Sequence, residues 1–375
     1  MVITFCLYKY FSFGGLQRDF LDIALECESR GHKICVLCTE WQGDIPSSFE
    51  VIKIPRRGLS NHIRLKNFSI DANIFLKNNP ADCVVGFTKM SGLDFYYAAE
   101  GCNAEKAATE KGIFYRISSR NRTYLKLELD VFGLQSKTEL LMLAPKQIAD
   151  FKKHYNTIES RFHLLPPGIN KDKKYSNPVS VSKAQFLKDH GISDDNFIIL
   201  QVGSDFKRKG VDRSLKAIAS LPDKIKQKLT FLVVGQDDPK KFIKLSKELN
   251  IESIIKFYPG RNDINIFMRH ADILLHPAYH EAAGIVILES ICSGLPVIVT
   301  ENCGYAHFVK EANCGAVLDY PFNQKQLNDE LYLFITSSKK RSIWSGNSKS
   351  FSDQHDIYNL HRVAANIICA KEVKL

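Results

Sequence analysis

Residues 197–212 read FIILQVGSDFKRKGVD and hold the pattern that sets the fold class. The apolar run Phe197–Val202 predicts a buried strand, which ends at Gly203, and a helix is predicted to begin at Val211 after three basic residues. A buried strand that passes through a glycine-containing loop into a helix is the repeating unit of open parallel α/β sheets. This stretch therefore predicts such a sheet.

The same alternation of short apolar runs and amphipathic helices continues in both directions along the chain. Before the quoted stretch, the predicted strands are Ile3–Tyr8, Ile34–Cys38, Val51–Ile54, Cys83–Phe87, Leu140–Leu143 and His163–Leu165. After it, they are Leu229–Val234, Ile254–Tyr258, Ile273–Leu275, Val297–Thr300 and Ala316–Leu318. We therefore expect an α/β protein with two Rossmann-like, doubly wound domains that face a central cleft.

Proline and glycine mark the boundary between the two predicted domains. Pro166-Pro167-Gly168 interrupts the alternation, and the polar stretch Lys171–Val181 follows it. We place an N-terminal domain over 1–168, a C-terminal domain over 169–355 and a last helical segment over 356–375.

Composition excludes several classes of protein. The chain has 375 residues, of which 45% are hydrophobic and 25% are charged, a typical globular composition. The apolar runs are far shorter than the roughly 18 residues that a membrane span needs. The ten cysteines are scattered, so we expect neither disulfides nor a zinc site, and a reduced cytoplasmic compartment fits best. The net charge of +10 suggests an acidic partner: nucleic acid, an anionic membrane or a phosphorylated substrate.

Two glycines, Gly14 and Gly15, follow the first predicted strand. They allow the backbone to approach a ligand closely, and the helix that begins there presents free N–H groups to an anion. The G-x-G-x-x-G dinucleotide motif is absent from this loop. Asp19, one turn into the helix, either faces the cleft or complements the helix dipole, and its position alone favours the dipole.

The loop after Val202 is a candidate phosphate-binding loop. It contains Gly203, Ser204, Arg208 and Lys209. Basic side chains at a helix N-terminus are suited to neutralise a diphosphate. Three consecutive basic residues are also common on solvated surfaces, so a solvated loop remains an alternative.

The most specific motif contains two glutamates, Glu281 and Glu289, eight residues apart. The residues between them, from Ala282 and Ala283 to Gly284 and Ile285, predict a helix N-terminus at the Ala283-Gly284 step. Carboxylates at these positions can accept sugar and ribose hydroxyls, while the exposed N–H groups can bind a phosphate. The alternatives are a capping role for Glu281 and a surface position for Glu289, although Glu289 lies in an apolar stretch where an unpaired carboxylate is costly.

Together these motifs resemble the retaining glycosyltransferases of family 4, which have the GT-B fold. The resemblance rests on Glu281 and Glu289, on the Gly203 to Gly210 loop, on the Gly14-Gly15 loop and on Ser293–Val297. Further stretches are similar to the lipopolysaccharide core glucosyltransferases, which add the first glucose to the inner-core heptose. These stretches are Phe5–Phe11, Phe13–Phe20, Gly203–Phe206, Arg208–Arg213, Leu275–Tyr279 and Cys303–His307.

The resemblance implies a role for each candidate residue. Glu289 would bind the ribose of UDP, Glu281 would approach the donor sugar, and the amides around Ala282, Ala283, Gly284 and Ile285 would receive the diphosphate. Lys209 would be the main cation, assisted by Arg208. Many relatives have arginine where this chain has Ser204, so we expect a second cation, Lys173 or Arg261. Gly14 and Gly15 would let the donor approach the first domain, and Asp19 would contact the donor or the acceptor.

The resemblance further implies UDP-glucose as the donor, the lipopolysaccharide inner core as the acceptor, an α-1,3 linkage and no metal cofactor. Lysine, arginine and helix dipoles replace the metal in such enzymes. The C-terminal domain would bind the nucleotide sugar, and the last helix would pack back on the N-terminal domain, which would face the acceptor and the membrane. Asp19, Lys209 and Glu281 are the residues that we expect at the reacting atoms.

A basic and aromatic segment follows in the first domain. Residues 106–126 hold six basic side chains against one acidic one, interleaved with aromatic and aliphatic residues: Lys106, Lys111, Arg116, Arg120, Arg122 and Lys126. Such a mixture can bind an anionic bilayer or nucleic acid, or be a solvated helix face with its apolar side in the core. Residue chemistry alone favours the solvated face. The resemblance favours a peripheral location on the inner membrane and no nucleic acid.

Two other functions remain open. One is the same fold with another nucleotide-sugar donor, and the other is a non-catalytic protein that binds membranes or nucleic acid.

Overall fold

The computed structural model describes residues 1–12, 14–169, 175, 177–355 and 357–371, with the backbone alone of Glu110. Lys173, one of the predicted phosphate cations, lies outside the described residues. The chain divides into two compact units, one formed by Met1–Gly168 with Asn359–Leu375 and the other by Ile169–Tyr358.

The first unit is built on a parallel sheet of seven strands. These are β1 (Val2–Cys6), β3 (Lys33–Cys38), β5 (Phe49–Lys53), β6 (Cys83–Gly86), β7 (Phe95–Ala98), β8 (Glu139–Met142) and β9 (Phe162–Leu164). Their order in space is β5-β3-β1-β6-β7-β8-β9. Two short strands, β2 (Lys9–Tyr10) and β4 (Glu40–Trp41), pair separately. The sequence-based strands match this sheet except at β7, which was not predicted.

Among the described residues of the first unit, six helices precede the domain boundary. They are α1 (Gly15–Ser29), α2 (Asn61–Asn78), α3 (Asn103–Glu110), α4 (Ile113–Arg116), α5 (Ser119–Phe132) and α6 (Pro145–Tyr155), with a 3-10 turn at Glu159–Arg161. The basic segment is therefore three helices rather than one amphipathic face.

The second unit has a parallel sheet of six strands. These are β10 (Phe197–Val202), β11 (Leu229–Val234), β12 (Ile255–Tyr258), β13 (Ile273–His276), β14 (Val297–Thr300) and β15 (Gly315–Leu318). Their order is β12-β11-β10-β13-β14-β15. Alternate residues of β10 pack into two separate apolar clusters, Ile198 and Leu200 into one and Ile199 into the other. A strand that is covered on both faces has to be apolar throughout, which explains the quoted run.

Nine helices of the second unit lie within the described residues. They are α7 (Lys183–Asp189), α8 (Val211–Ala219), α9 (Asp223–Lys226), α10 (Lys240–Glu248), α11 (Ile264–His270), α12 (Ile285–Cys292), α13 (Ala306–Glu311), α14 (Gln324–Thr336) and α15 (Ser338–Gln354), with a 3-10 turn at Glu252–Ile254.

The last helix, α16 (Leu360–Cys369), belongs to the first unit. It packs on α1, and Ala364, Ala365 and Ile368 are buried. The amide of Leu360 donates to the carbonyl of Pro167 at 3.2 Å. Within the described part of the chain, no helix is long and apolar enough to cross a membrane.

The strand order of each sheet reverses direction at one place. In the second unit this place lies between β10 and β13, and in the first unit it lies between β1 and β6. Loops at the carboxyl ends of the two strands diverge there, which opens a crevice where doubly wound folds bind ligands. The Gly203 and Glu281 motifs follow β10 and β13, and the Gly14-Gly15 loop follows β1 and β2.

Candidate active site

Two loops of the second unit meet at its switch point. The loop after β10 runs from Gly203 to Gly210, and Gly210 has φ +76°. A Cβ at Gly210 would lie 2.1 Å from the carbonyl oxygen of Pro277, directly after β13. Only glycine tolerates both this backbone conformation and this close approach. The basic loop is thereby packed against the segment that leads to Glu281.

Lys209 and Arg208 both bind the carboxylate of Glu281. The Nζ of Lys209 forms an ion pair with Oε2, and the Nη1 of Arg208 donates to the same oxygen at 2.9 Å. The side chains of Lys209 and Glu281 are only 10% and 14% exposed. Burial by itself would raise the pKa of Glu281, but the charges of Lys209 and Arg208 hold it well below its usual value. The site therefore holds a half-buried carboxylate that stays charged.

Lys207, the third basic residue of the loop, binds elsewhere. Its Nζ donates to Asp212 at 2.7 Å and to the hydroxyl of Tyr279 at 2.8 Å. Arg213 stacks on the same Tyr279 ring at 3.7 Å. The three consecutive cations thus split into a pair on Glu281 and one on Asp212.

The helix α12 begins beside this ion-pair cluster. It starts at Ile285 after Gly284, which has φ +83°. Among the described residues, no side chain caps this N-terminus, so Glu281 is not a capping carboxylate. The first amides of a helix have no partners within the helix. Gly284 and Ile285 stand at this N-terminus and Ala282 and Ala283 precede it, and their role as phosphate contacts stays a prediction.

Glu289 is the fifth residue of α12 and is only 7% exposed. The surface interpretation of this glutamate is therefore wrong. Leu288 and Ile291, close to it in the sequence, are fully buried.

Two other predicted phosphate contacts have protein partners. Arg261 binds Asp263 through Nε and Nη2, both at 2.7 Å. The hydroxyl of Ser204 accepts the amide of Gln236 at 3.2 Å. The cation that accompanies Lys209 on Glu281 is therefore Arg208, and Arg261 is engaged by Asp263 instead.

His276 is a further side chain at this site. It ends β13, is completely buried, and places Nε2 3.8 Å from the Oε2 of Glu281. Neither ring nitrogen has a hydrogen-bond partner among the residues that the structure describes. Its position directly after an apolar strand, five residues before Glu281, was the available signal.

The predicted residues of the first unit lie around the start of α1. Gly14 precedes the helix, and a Cβ at Gly15 would meet no described atom within 4 Å. Asp19 is the fifth residue of α1 and lies beyond the first turn. The helix dipole acts within that first turn, so it does not account for the position of Asp19. Its Oδ2 accepts the hydroxyl of Tyr97 at 2.6 Å, and its Oδ1 lies 3.0 Å from the Nε2 of His361.

The basic segment exposes apolar side chains as well as charges. Ile113 is 63% exposed, Phe114 85% and Ile117 64%, so the apolar side of this segment is not in the core. Arg120 and Arg122 are exposed. We call residues 111–122 the α4 tip.

The remaining cations of this segment have different surroundings. Arg116 donates to the carbonyls of Ala107 and Lys111 at 2.8 and 3.1 Å, and so binds the end of α3. Lys126 pairs with Asp130. Lys111 lies over the ring of Tyr115, and Lys106 is half-buried. The six predicted cations therefore differ in their surroundings, and several of them already contact other groups of the protein.

Within the described residues, no group of three His, Cys, Asp or Glu side chains is arranged to hold a metal ion.

Comparison with known proteins gives three relevant findings. Residues 182–351 match the family model for glycosyl transferases group 1. The chain is 50% identical over 368 residues to the lipopolysaccharide glucosyltransferase WaaG of Escherichia coli (strain K12), covering 98% of each chain. It superposes on a crystal structure of WaaG, described as a glycosyltransferase involved in lipopolysaccharide biosynthesis, with a TM-score of 0.95, 49% identity, and coverage of 98% of this chain and 100% of that one.

A more distant structure shares the fold alone. It is Anabaena Alr3699/HepE in complex with UDP-glucose, with a TM-score of 0.74, 17% identity, and coverage of 99% of this chain and 100% of that one.

Proposed function

Since this chain belongs to the group 1 glycosyltransferases, we propose that it transfers glucose from UDP-glucose to an inner-core heptose of lipopolysaccharide, with an α-1,3 linkage, retention of configuration and no metal ion. Its fold is GT-B, and glucosyl transfer in lipopolysaccharide synthesis is its activity, since the match to a lipopolysaccharide glucosyltransferase covers nearly the whole of both chains. The donor, the linkage and the absence of a metal are the further content of the proposal.

The observation that carries the proposal is the pair of cations beside the start of α12. Lys209 and Arg208 share one carboxylate oxygen of Glu281, and Arg208 also binds Asp205 at 3.1 Å, so two cations meet on a single oxygen at this site. A diphosphate that binds the first amides of α12 brings further negative charge to both cations. The cations and the helix N-terminus then stabilise the charge that develops on the leaving UDP, the task that a divalent metal performs in other transferases.

Two glutamates provide acceptors for the rest of the donor. Glu289 lies on α12 behind the phosphate-binding amides, where we assign it to the ribose hydroxyls of UDP. Glu281, released from part of its cation contacts by the diphosphate, accepts hydroxyls of the glucose. A charged carboxylate hydrogen-bonds a hydroxyl more strongly than a neutral acceptor does.

In the first unit, we assign Gly14, Gly15 and Asp19 to the reacting end of the donor and to the acceptor. The open space beside Gly15 leaves its backbone accessible to a sugar or phosphate. Tyr97 and His361 hold the carboxylate of Asp19 in a fixed orientation.

The α4 tip supplies the membrane contact of the proposal. Phe114 with Ile113 and Ile117 is an apolar wedge, and the exposed Arg120 and Arg122 are available to anionic headgroups. Aromatic and aliphatic side chains flanked by arginines are suited to the interface of an anionic bilayer. This surface would hold the enzyme at the cytoplasmic face of the inner membrane, where its lipid-anchored acceptor is found.

A donor panel tests the proposal. We would measure binding of UDP-glucose, UDP-galactose and UDP-N-acetylglucosamine by calorimetry in EDTA, for the wild type and for Glu289→Ala. We would then measure sugar transfer to lipopolysaccharide truncated after the inner-core heptoses. We expect selective binding and transfer with UDP-glucose, loss of binding in the variant, and an α-anomeric coupling constant in the product. Transfer from another donor, or activity that EDTA abolishes, would contradict the proposal.

A further inference from the structure

His276 is a fully buried imidazole whose two nitrogens have no hydrogen-bond partner among the described residues. It lies at the end of β13, and its Nε2 is 3.8 Å from Glu281 Oε2, beyond hydrogen-bond length. Burial lowers the pKa of His276, so the ring is neutral and carries one N–H.

A buried N–H without an acceptor is unfavourable, and such groups are rare in folded proteins. An apolar residue of similar size would fill the same space without this cost. The histidine is therefore best explained by a second arrangement of the site, in which its N–H has an acceptor.

Glu281 is an acceptor within reach of His276. Its present partners, Lys209 and Arg208, are the groups that a bound diphosphate would attract. In the described arrangement Oε2 is bound by Lys209 and by Arg208 at 2.9 Å. If the donor binds as proposed above, its diphosphate attracts both cations. Glu281 is then a half-buried carboxylate that has lost most of its compensation, which is costly unless another donor replaces it.

We propose that His276 is a positioning residue for Glu281, donating a hydrogen bond to its carboxylate once a diphosphate has engaged Lys209 and Arg208. A shift of roughly 1 Å closes the gap from 3.8 Å to the usual length of a hydrogen bond. The carboxylate is then held in place for the donor sugar while its former partners hold the phosphates. This inference rests on the proposed function and goes beyond it by assigning the residue that exchanges with the cations.

A double-mutant cycle tests whether His276 acts through Glu281. UDP-glucose affinity and kcat/KM would be measured for the wild type, His276→Leu, Glu281→Gln and the double variant. Loss of a hydrogen bond to a charged group predicts about a tenfold loss of affinity for His276→Leu in the wild-type background. In the Glu281→Gln background we expect less than a twofold effect. Equal losses in both backgrounds would overturn the proposal.

A second buried histidine of the same unit provides the matched control. His270 is 8% exposed, and its Nε2 lies 2.8 Å from the carbonyl of Val181. His270→Leu should lower the Tm without lowering the affinity for UDP-glucose. If it reduces affinity as much as His276→Leu does, affinity follows stability and the proposal fails.

Nitrogen-15 NMR of the intact wild type does not depend on the folding of any variant. Addition of UDP should shift the imidazole N–H signal of His276 towards a hydrogen bond with a carboxylate, whereas uridine, which lacks the diphosphate, should not. If UDP binds and the signal does not move, the role of His276 is disproved while the proposed function stands. If UDP does not bind at all, the proposed function itself fails.

Discussion

The carboxylate of Asp19 and the imidazole of His361 are 3.0 Å apart, although 342 residues separate them in the sequence. The contact joins α1 to α16, the first and last helices among the described residues. Tyr97 from β7 holds the other oxygen of the same carboxylate at 2.6 Å. Asp19 is therefore positioned by two elements that are remote from it in the sequence.

This contact predicts a pH-dependent stability. Burial alone would lower the pKa of His361, but Asp19, Asp22 and Glu26 raise it above its usual value. The protonated imidazole is thus favoured by folding, so its stabilisation is complete below about pH 6.5 and is lost as the pH rises through the raised value. The difference in Tm between the wild type and His361→Gln should be largest near pH 6 and shrink towards pH 9. A difference that is constant or grows with pH would contradict this.

A second prediction concerns a buried ion pair next to the start of α3. Lys89 and Glu128 form an ion pair at 2.7 Å, with side chains 5% and 0% exposed, and Glu128 also accepts the amides of Asn103 and Ala104 at the start of α3. Removing one partner of a buried pair leaves an uncompensated charge. Lys89→Met should therefore destabilise the protein by about 3 kcal/mol.

The control for this prediction is the more exposed pair of Lys126 and Asp130 on α5, whose side chains are 68% and 22% exposed. Lys126→Met should change stability by less than about 0.5 kcal/mol, because exposed pairs contribute little. Thermal unfolding would compare the two variants, and hydrogen exchange should show faster exchange over α3 in Lys89→Met only. Equal effects of the two substitutions would count against the buried pair as the anchor of α3.

A third prediction distinguishes the roles of Arg208 and Lys207 in the loop after β10. Arg208→Gln should weaken UDP binding about tenfold, the effect of one charged contact. Lys207→Gln should change it less than twofold, because Lys207 binds Asp212 and Tyr279 rather than Glu281. Calorimetry with UDP measures both. A larger loss for Lys207 than for Arg208 would show that the loop rearranges on binding.

The fourth prediction concerns membrane binding by the α4 tip. Arg120→Gln with Arg122→Gln should weaken binding to anionic vesicles by about 2 kcal/mol, since each nearby basic residue contributes roughly 1 kcal/mol. Phe114→Ser should weaken it further by removing apolar surface. Arg116 is left unchanged because it binds the end of α3.

Vesicle sedimentation measures this binding, with UDP-glucose affinity checked in parallel. Leu333→Ser is a matched control, because Leu333 is 46% exposed in the second unit and is not in the basic segment. Vesicle binding that survives the changes in the α4 tip but falls with Leu333→Ser would place the membrane contact elsewhere.

The sequence predicts the architecture well because a parallel sheet that is covered on both faces leaves uninterrupted apolar runs. Twelve predicted strands match twelve strands of the two sheets, with small differences at their ends. The thirteenth, β7, is missed for a physical reason. Only Phe87–Asp94 separates it from β6, so the helix that normally connects parallel strands is absent there.

The candidate site is predicted in part. That Lys209 and Glu281 meet follows from the topology, because β10 and β13 are neighbours at the switch point. The sequence does not show which arginine assists Lys209, because Arg208 and Arg261 both follow strands of the same sheet. The choice depends on local pairing with Asp263, which no periodicity encodes. The bond between Asp19 and His361 depends on where the final helix packs, which local patterns do not specify.

The return of α16 to the first unit sets an order for folding during synthesis. The ribosome completes Met1–Gly168 early, but its last packing partner for α1 appears only after the whole of Ile169–Tyr358 has emerged. Until then the face of α1 that α16 covers, and the carboxylate of Asp19 with it, lacks its final partner. The first unit of a nascent chain is therefore incomplete until α16 has been synthesised, and a chain that ends directly after Tyr358 has a whole second unit and an incomplete first one.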